Sequence, residues 1–269
     1  MTKEQLQLIE KLCKIDTTEK VEYPPLALSF GNKVIQSKKG NNVVDIPLGT
    51  LGNFSFIQAP PKSKKSFFVS LLVSAYLRSN NFVGKIKSHR RDEKVLHFDT
   101  EQGKYHASLG FRRVTEMCGV TDGYHPYFLR TLGYDQRIEF IEHCLKNYRN
   151  TGLVVIDGIA DLVADVNDIE QSNNCVQKLM KWSSDYNCHI ITVIHSNFGT
   201  DKPTGHLGSF LEKKTETQIS LEKNTVHEDQ VTVSCKRSRG FPFETFSFRI
   251  NNFGYPELVD SIYDPLQNT

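Results

Sequence analysis

Between Gly52 and Leu77 the chain runs from an alternating segment through a lysine-rich turn into a long apolar stretch, and that order admits few folds. Gly52–Gln58 (Gly-Asn-Phe-Ser-Phe-Ile-Gln) alternates as a strand does, whereas Phe67–Leu77 is too long for a strand and suits a buried helix. The turn between them, Ala59-Pro-Pro-Lys-Ser-Lys-Lys-Ser66, is a degenerate phosphate-binding loop. The intact pattern is Gly, four residues, then Gly-Lys-Ser/Thr. Here Ala59 and Lys64 stand in place of the two glycines, and Lys65 and Ser66 are kept. Strand, loop and helix are what the chemistry requires, because loop N–H groups and the positive end of the helix then face an anion. Ala59, Pro60, Pro61, Lys62, Ser63, Lys64, Lys65 and Ser66 therefore form the candidate phosphate site. In it Lys65 would reach the β- and γ-phosphates and Ser66 would ligate Mg²⁺. An inert, solvated basic turn is the competing reading.

A chain of 269 residues fits one α/β domain with or without a small appendage. Lys and Arg (33) nearly balance Asp and Glu (31), so any nucleic-acid binding must come from local patches, not from a global field. The six cysteines form no Cys-x-x-Cys pair and suit reduced, mostly buried thiols. The amino terminus is charged and helix-periodic, unlike a secretion signal, and no apolar run reaches transmembrane length. The expectation is a soluble protein of the cytoplasm.

Residues 3–14 predict an amphipathic helix, and Leu26–Phe30 with Lys33–Gln36 predict a hairpin turning at Gly31-Asn32, followed by a polar loop over Ser37–Asn42. From Ile46 onward strands and helices alternate. Strands are expected at Val95–Asp99, Tyr127–Thr131, Leu153–Asp157 and His189–His195, and helices at Tyr105–Cys118, Tyr134–Tyr148 and Asp168–Tyr186. Such alternation means an α/β fold with a mainly parallel sheet covered by helices. Beyond residue 215 three strands without helices (Thr217–Glu222, Gln230–Lys236, Thr245–Ile250) predict an antiparallel carboxy-terminal extension. The expected organisation is a helix-and-hairpin segment (1–45), a core (46–255) and a tail (256–269).

Ligands of open α/β sheets bind at the carboxyl ends of the strands, and four further elements sit at such ends. Leu153-Val-Val-Ile-Asp157 delivers one acid at the tip of a buried strand, suited to holding Mg²⁺ or its water. Val95-Leu-His-Phe-Asp-Thr-Glu101 ends in two acids; Glu101 suits a base acting on water, with Asp99 either supporting it or capping the next helix. Ile190-Ile-Thr-Val-Ile-His195 ends in a polar residue able to sense a γ-phosphate, and the Ser196–Gly208 loop after it suits a ligand-responsive segment. Cys235-Lys-Arg-Ser-Arg-Gly240 closes a strand with Arg237 and Arg239, either a finger reaching a neighbouring subunit's nucleotide or a solvated turn. Lys85-Ile-Lys-Ser-His-Arg-Arg91 reads as a solvated hairpin with the alternative of contacting a nucleic-acid backbone.

With these residues in place, the chain resembles the RecA-like P-loop ATPases, and within them the RepA-type hexameric replicative helicases of phages and mobile elements, including Bacteroidetes relatives. The resemblance covers about residues 24–250 and rests on Pro24-Pro25, Leu51-Gly-Asn-Phe-Ser-Phe-Ile57, Lys62-Ser-Lys-Lys-Ser66, His97-Phe-Asp-Thr-Glu-Gln102, Val154-Val-Ile-Asp-Gly158 and Gly205-His-Leu-Gly208. It implies ATP and Mg²⁺ as cofactors, Lys65 and Ser66 as the Walker A pair, Asp157 as the Walker B acid and Glu101 as the catalytic glutamate. It further implies His195 as the sensor on the DNA-coupling strand and Arg237 or Arg239 as the finger. The implied activity is ATP hydrolysis coupled to movement along single-stranded DNA by a homo-oligomeric ring, with any primase a separate protein. The departures are the two missing loop glycines. A RecA-like recombination or annealing ATPase working as a filament is a second reading, and the lost glycines make credible a third, a nucleotide-responsive DNA-binding protein with weak turnover.

Overall fold

The computed structural model describes residues 1–37, 40–78, 84–197 and 200–259. Its centre is a nine-stranded sheet fed by the alternation read above. In chain order the strands are β3 (Phe54–Ala59), β5 (Lys94–Asp99), β6 (Tyr124–Phe128), β7 (Thr151–Asp157), β8 (His189–His195), β9 (Thr217–Lys223), β10 (Gln230–Ser238), β11 (Phe246–Ile250) and β12 (Pro256–Val259). Across the sheet the order is β12-β11-β10-β9-β3-β8-β7-β5-β6. Strands β9 to β6 in that order are all parallel to β3, and β10, β11 and β12 continue the sheet antiparallel. The expected α/β class, mainly parallel with an antiparallel carboxy-terminal extension, is the observed one.

Strand β7 shows why the central strands read as apolar runs. Leu153 and Val155 face one core with Ile57, Ile191 and helix α2 (Lys65–Arg78), while Val154 and Ile156 face the other with α4 (Tyr134–Asn147) and α5 (Ile169–Asp185). A strand buried on both faces has no polar side to alternate with. Helix α3 (Lys104–Cys118) packs beside α2 over the first core, and α6 (Gly205–Lys214) joins the second.

The amino-terminal part differs from expectation. The predicted turn at Gly31-Asn32 is no reversal: β1 runs unbroken from Leu26 to Ser37 and pairs with β2 (Gly40–Thr50), which also passes through residue 46. Gly31 takes φ 66° at a register shift between Ser29 and Asn32 and donates its N–H to the Lys85 carbonyl at 3.0 Å. A glycine there makes a bulge and the strand carries on. The basic segment Lys85–Arg91 is not a free hairpin either. Ile86–Ser88 forms β4, which pairs with β1 in a second, three-stranded sheet. Lys87 is held by Asp45 at 2.7 Å, and Arg90 donates to the carbonyls of Leu77 and Glu93. Lys87 is thus engaged within the small sheet, and Arg90 ties the segment after it to α2 and to the start of β5.

Two other boundaries moved. The strand expected at 127–131 lies at Tyr124–Phe128, Pro256–Val259 is a strand where a tail was expected, and residues 260–269 lie outside the described part. Helix α1 (Lys3–Cys13) has a capping box at Thr2 and Gln5 and buries none of its residues. Of the cysteines, Cys118, Cys144, Cys175 and Cys188 are buried free thiols, Cys235 is partly buried and Cys13 exposed. Among the described residues, no helix is long and apolar enough to cross a membrane.

Candidate active site

Strand register places the site. Ala59 lies beside His195, and Asp157 beside Asp99, so β3, β8, β7 and β5 end together at one edge of the sheet. A cleft of about 410 Å³ opens there, lined by Pro61–Ser66, Glu101, Gln102 and His195 and, further along, by part of α3. It runs over the amino terminus of α2, the positive end of that helix.

The loop sends its two adjacent lysines to different places. Lys65 is buried, and its Nζ lies 3.0 Å from His195 Nδ1 inside the cleft. Lys64 turns its side chain away, donating to the Asp229 carbonyl at 2.8 Å ahead of β10. Lys65 is thus the lysine that faces the cleft, and the additional charge of Lys64 is directed to the protein. Lys64 nevertheless keeps the backbone of the glycine it replaces, with φ 63°, and Lys62 takes φ 61°. Such left-handed geometry costs a non-glycine residue of order 1 kcal/mol. The loop carries that strain at both positions. Ser63 closes it by donating Oγ–H to the Pro60 carbonyl at 2.7 Å, and Ala59 accepts from the Ser196 N–H at 3.1 Å.

His195 joins the cation to the acid. Its Nε2 lies 3.1 Å from Glu101 Oε1. An ammonium only donates and a carboxylate only accepts, so Nδ1 accepts from Lys65 and Nε2 carries the proton toward Glu101. Burial lowers the pKa of Lys65, opposed by the charges of Glu101 and Asp157. The His195 hydrogen bond holds Glu101 below the usual carboxylate range against its partial burial. Asp99 is a different kind of acid: its Oδ1 accepts the N–H groups of Glu101 (3.1 Å) and Gln102 (2.8 Å). It shapes the turn that presents Glu101, while α3 itself starts after Gly103.

Ser66 Oγ donates to Asp157 Oδ2 at 3.2 Å, and Gln102 Nε2 donates to Ser66 Oγ at 3.2 Å. One hydroxyl and one buried carboxylate are hard oxygen donors, and Mg²⁺ takes one or two such ligands while nucleotide phosphates and water complete its shell. The pair fits that ion, which bound here would neutralise charge on the phosphates.

Burial, then the charges of Asp99 and Glu101, push the Asp157 carboxyl up to about 7. The folded chain thus holds this proton more tightly than the unfolded chain, and stability present below the ordinary value of 3.8 is lost as pH rises through about 7. Asp157→Asn is therefore expected to raise the melting temperature near pH 8 without Mg²⁺ or nucleotide, and to leave it nearly unchanged near pH 4. The difference amounts to at most about 4 kcal/mol. Scanning calorimetry at both pH values checks it; no gain near pH 8 would mean that Lys65 fully compensates the charge.

Several participants escaped the sequence reading. Gln102 stood in the quoted motif without a role, and Thr100, whose Oγ1 donates to Asp161 and to the Gly158 carbonyl, locks β5 to β7. Gly158 has φ 126°, and a Cβ there would come within 2.9 Å of Glu101 Cγ, so only glycine lets these two strand ends meet. Residues 200–208 are tied to the strand end and to the second core. Thr204 binds the His195 carbonyl through both its N–H (3.0 Å) and its hydroxyl (2.8 Å), and Gly205 begins α6. Gly205 and Gly208 are there for close packing on Val166 and Pro203. Gly199 lies outside the described residues.

Arg237 and Arg239 are not part of this edge. Because β10 runs antiparallel to β9, Ser238 pairs with Thr217, and Arg239 N–H reaches the Glu216 carbonyl beside Phe54. That is the opposite edge, a full strand length from the loop.

Residues 24–201 match the family model described as AAA domain. The chain belongs to this family of P-loop ATPases. With the parallel sheet and the loop at the end of β3, the architecture is that of a RecA-like P-loop fold. No curated protein matches the chain.

Proposed function

We propose that this AAA-domain protein is an ATP-hydrolysing motor acting on single-stranded DNA, of the replicative-helicase type and assembled as a ring. The carrying observation is the chain Lys65–His195–Glu101, with Thr204 gripping the carbonyl of the same histidine. A phosphate arriving at Lys65 competes for the donor that His195 now accepts. The histidine ring then shifts its hold on Glu101, at a strand end whose carbonyl Thr204 grips. Phosphate occupancy at Lys65 and the state of the strand end at His195 are then linked, which is what a motor needs and a simple phosphatase does not.

Purified protein is expected to hydrolyse ATP faster when single-stranded DNA is added and to separate a forked duplex. The left-handed lysines of the loop favour the second reading, a nucleotide-responsive DNA-binding protein with weak turnover. Tight ATP binding with turnover that DNA leaves unchanged would select that reading.

A further inference from the structure

Lys64 stands at φ 63°, a backbone in which glycine is unstrained and a lysine is not. Its side chain is not turned to the cleft: Nζ donates to the Asp229 carbonyl at 2.8 Å, in the turn between β9 and β10. Its own carbonyl accepts the N–H groups of Phe67 (3.1 Å) and Phe68 (3.2 Å), so α2 begins on it. One residue therefore joins the loop, the start of the helix and a distant turn, and the next residue, Lys65, points into the cleft.

The turn is internally bonded. Asn224 Oδ1 accepts the N–H groups of Val226 (2.9 Å) and His227 (3.0 Å), and the Asn224 N–H donates to the Gln230 carbonyl at 3.1 Å. Strand β10 is tied to the loop a second time further along. Lys236 Nζ lies 2.6 Å from Asp201 Oδ2. Asp201 in turn accepts, through Oδ1 (3.0 Å) and its carbonyl (3.1 Å), from Nε2 of Gln58, the fully buried residue before Ala59. The loop is thus fastened to the β9–β10 hairpin at both ends, by Gln58 through Asp201 and Lys236, and by Lys64 directly. Glycine at position 64 would leave only the first tie.

We propose that Lys64 is a positioning residue of the ATPase site, a strut that braces the phosphate loop on the β9–β10 hairpin and so fixes the path by which Lys65 enters the cleft. Lys64 touches no substrate in this role. Its strained backbone is what it costs to place there a donor that glycine lacks. The brace works in both directions, because coupling between two sites is reciprocal: a phosphate drawn onto the loop alters the hold on the turn, and residues 224–230 respond to nucleotide. The inference rests on the ATP binding of the reading above and needs neither DNA nor a ring.

Three variants of the full chain separate a strut from a tolerated loss of glycine. Lys64→Gly restores the usual loop residue and relieves the strain, Lys64→Met keeps the strain without the donor, and Lys64→Arg keeps a donor of similar reach. Lys64→Gly folds readily, since glycine is at home at φ 63°. Calorimetry gives MgATP affinity, single-turnover kinetics gives the hydrolysis rate, and amide hydrogen exchange follows residues 224–230 with and without MgATP. Lys64→Gly and Lys64→Met should each lose about 2- to 12-fold in hydrolysis rate, the worth of one hydrogen bond, with a smaller change in affinity. Lys64→Arg should keep the rate. MgATP should change exchange over 224–230 in the unaltered protein and in Lys64→Arg, and not in the other two. An undiminished rate in Lys64→Gly or in Lys64→Met overturns the proposal, as does exchange over 224–230 that MgATP leaves unchanged in the unaltered protein. If the unaltered protein does not bind MgATP at all, the nucleotide reading falls and the strut with it.

Discussion

Arg239→Ala is expected to lower ATP turnover by about 10³–10⁵, the usual worth of an arginine finger, while leaving ATP affinity intact. Position is the reason. Arg239 follows β10 at the sheet edge opposite the phosphate loop, and its Nη2 donates to the Lys214 carbonyl at 2.7 Å. Strand β3, six residues long, separates the two edges by roughly 20 Å. A side chain there cannot serve its own nucleotide, so any catalytic role is on a neighbouring subunit, and specific activity should rise with protein concentration. Mixing Arg239→Ala subunits, whose phosphate loop is intact, with Lys65→Ala subunits, whose finger is intact, should restore turnover that neither shows alone. No recovery in oligomers shown by sizing to be mixed would leave the Arg237–Arg239 cluster as a surface turn or a DNA contact.

The second large effect belongs to Glu101. Glu101→Gln should bind MgATP with near-normal affinity and lose about 10²–10⁴ in turnover, the range for a general base. Its carboxylate is half-exposed in the cleft, whereas Ser66 and Asp157, which would hold the metal, are bonded to each other without it. Asp99 cannot replace it as base, because it is 3% exposed and already accepts two backbone N–H groups. Single-turnover kinetics separate the two quantities. Undiminished hydrolysis in Glu101→Gln would remove this carboxylate from the chemistry and leave the His195 hydrogen bond as a structural tie.

The sequence alone determined the elements whose physics is local. A run such as Leu153–Ile156 ending in Asp157 has one sensible state, a strand buried on both faces with its acid at the tip, and it lies where it was read. His189–His195 likewise kept both ends. Lys65 was separable from Lys64 by its spacing to Ser66, even with both glycines gone. Tertiary structure decided whatever depends on partners far away in the chain. Gly31-Asn32 resembles a turn until β4 arrives to pair with β1, and the glycine then serves as a bulge. Gly205 and Gly208 suggest mobility until Val166 and Pro203 pack on them. Arg239 closes a strand as the other site residues do, and only the antiparallel pairing of β10 with β9 sends it to the far edge. Glu101, His195 and Lys65 lie up to 130 positions apart, and no local pattern announces that they form one hydrogen-bonded chain. Periodicity reports which face of an element is buried; direction, register and the meeting of side chains follow from long-range pairing, which one stretch of sequence does not encode.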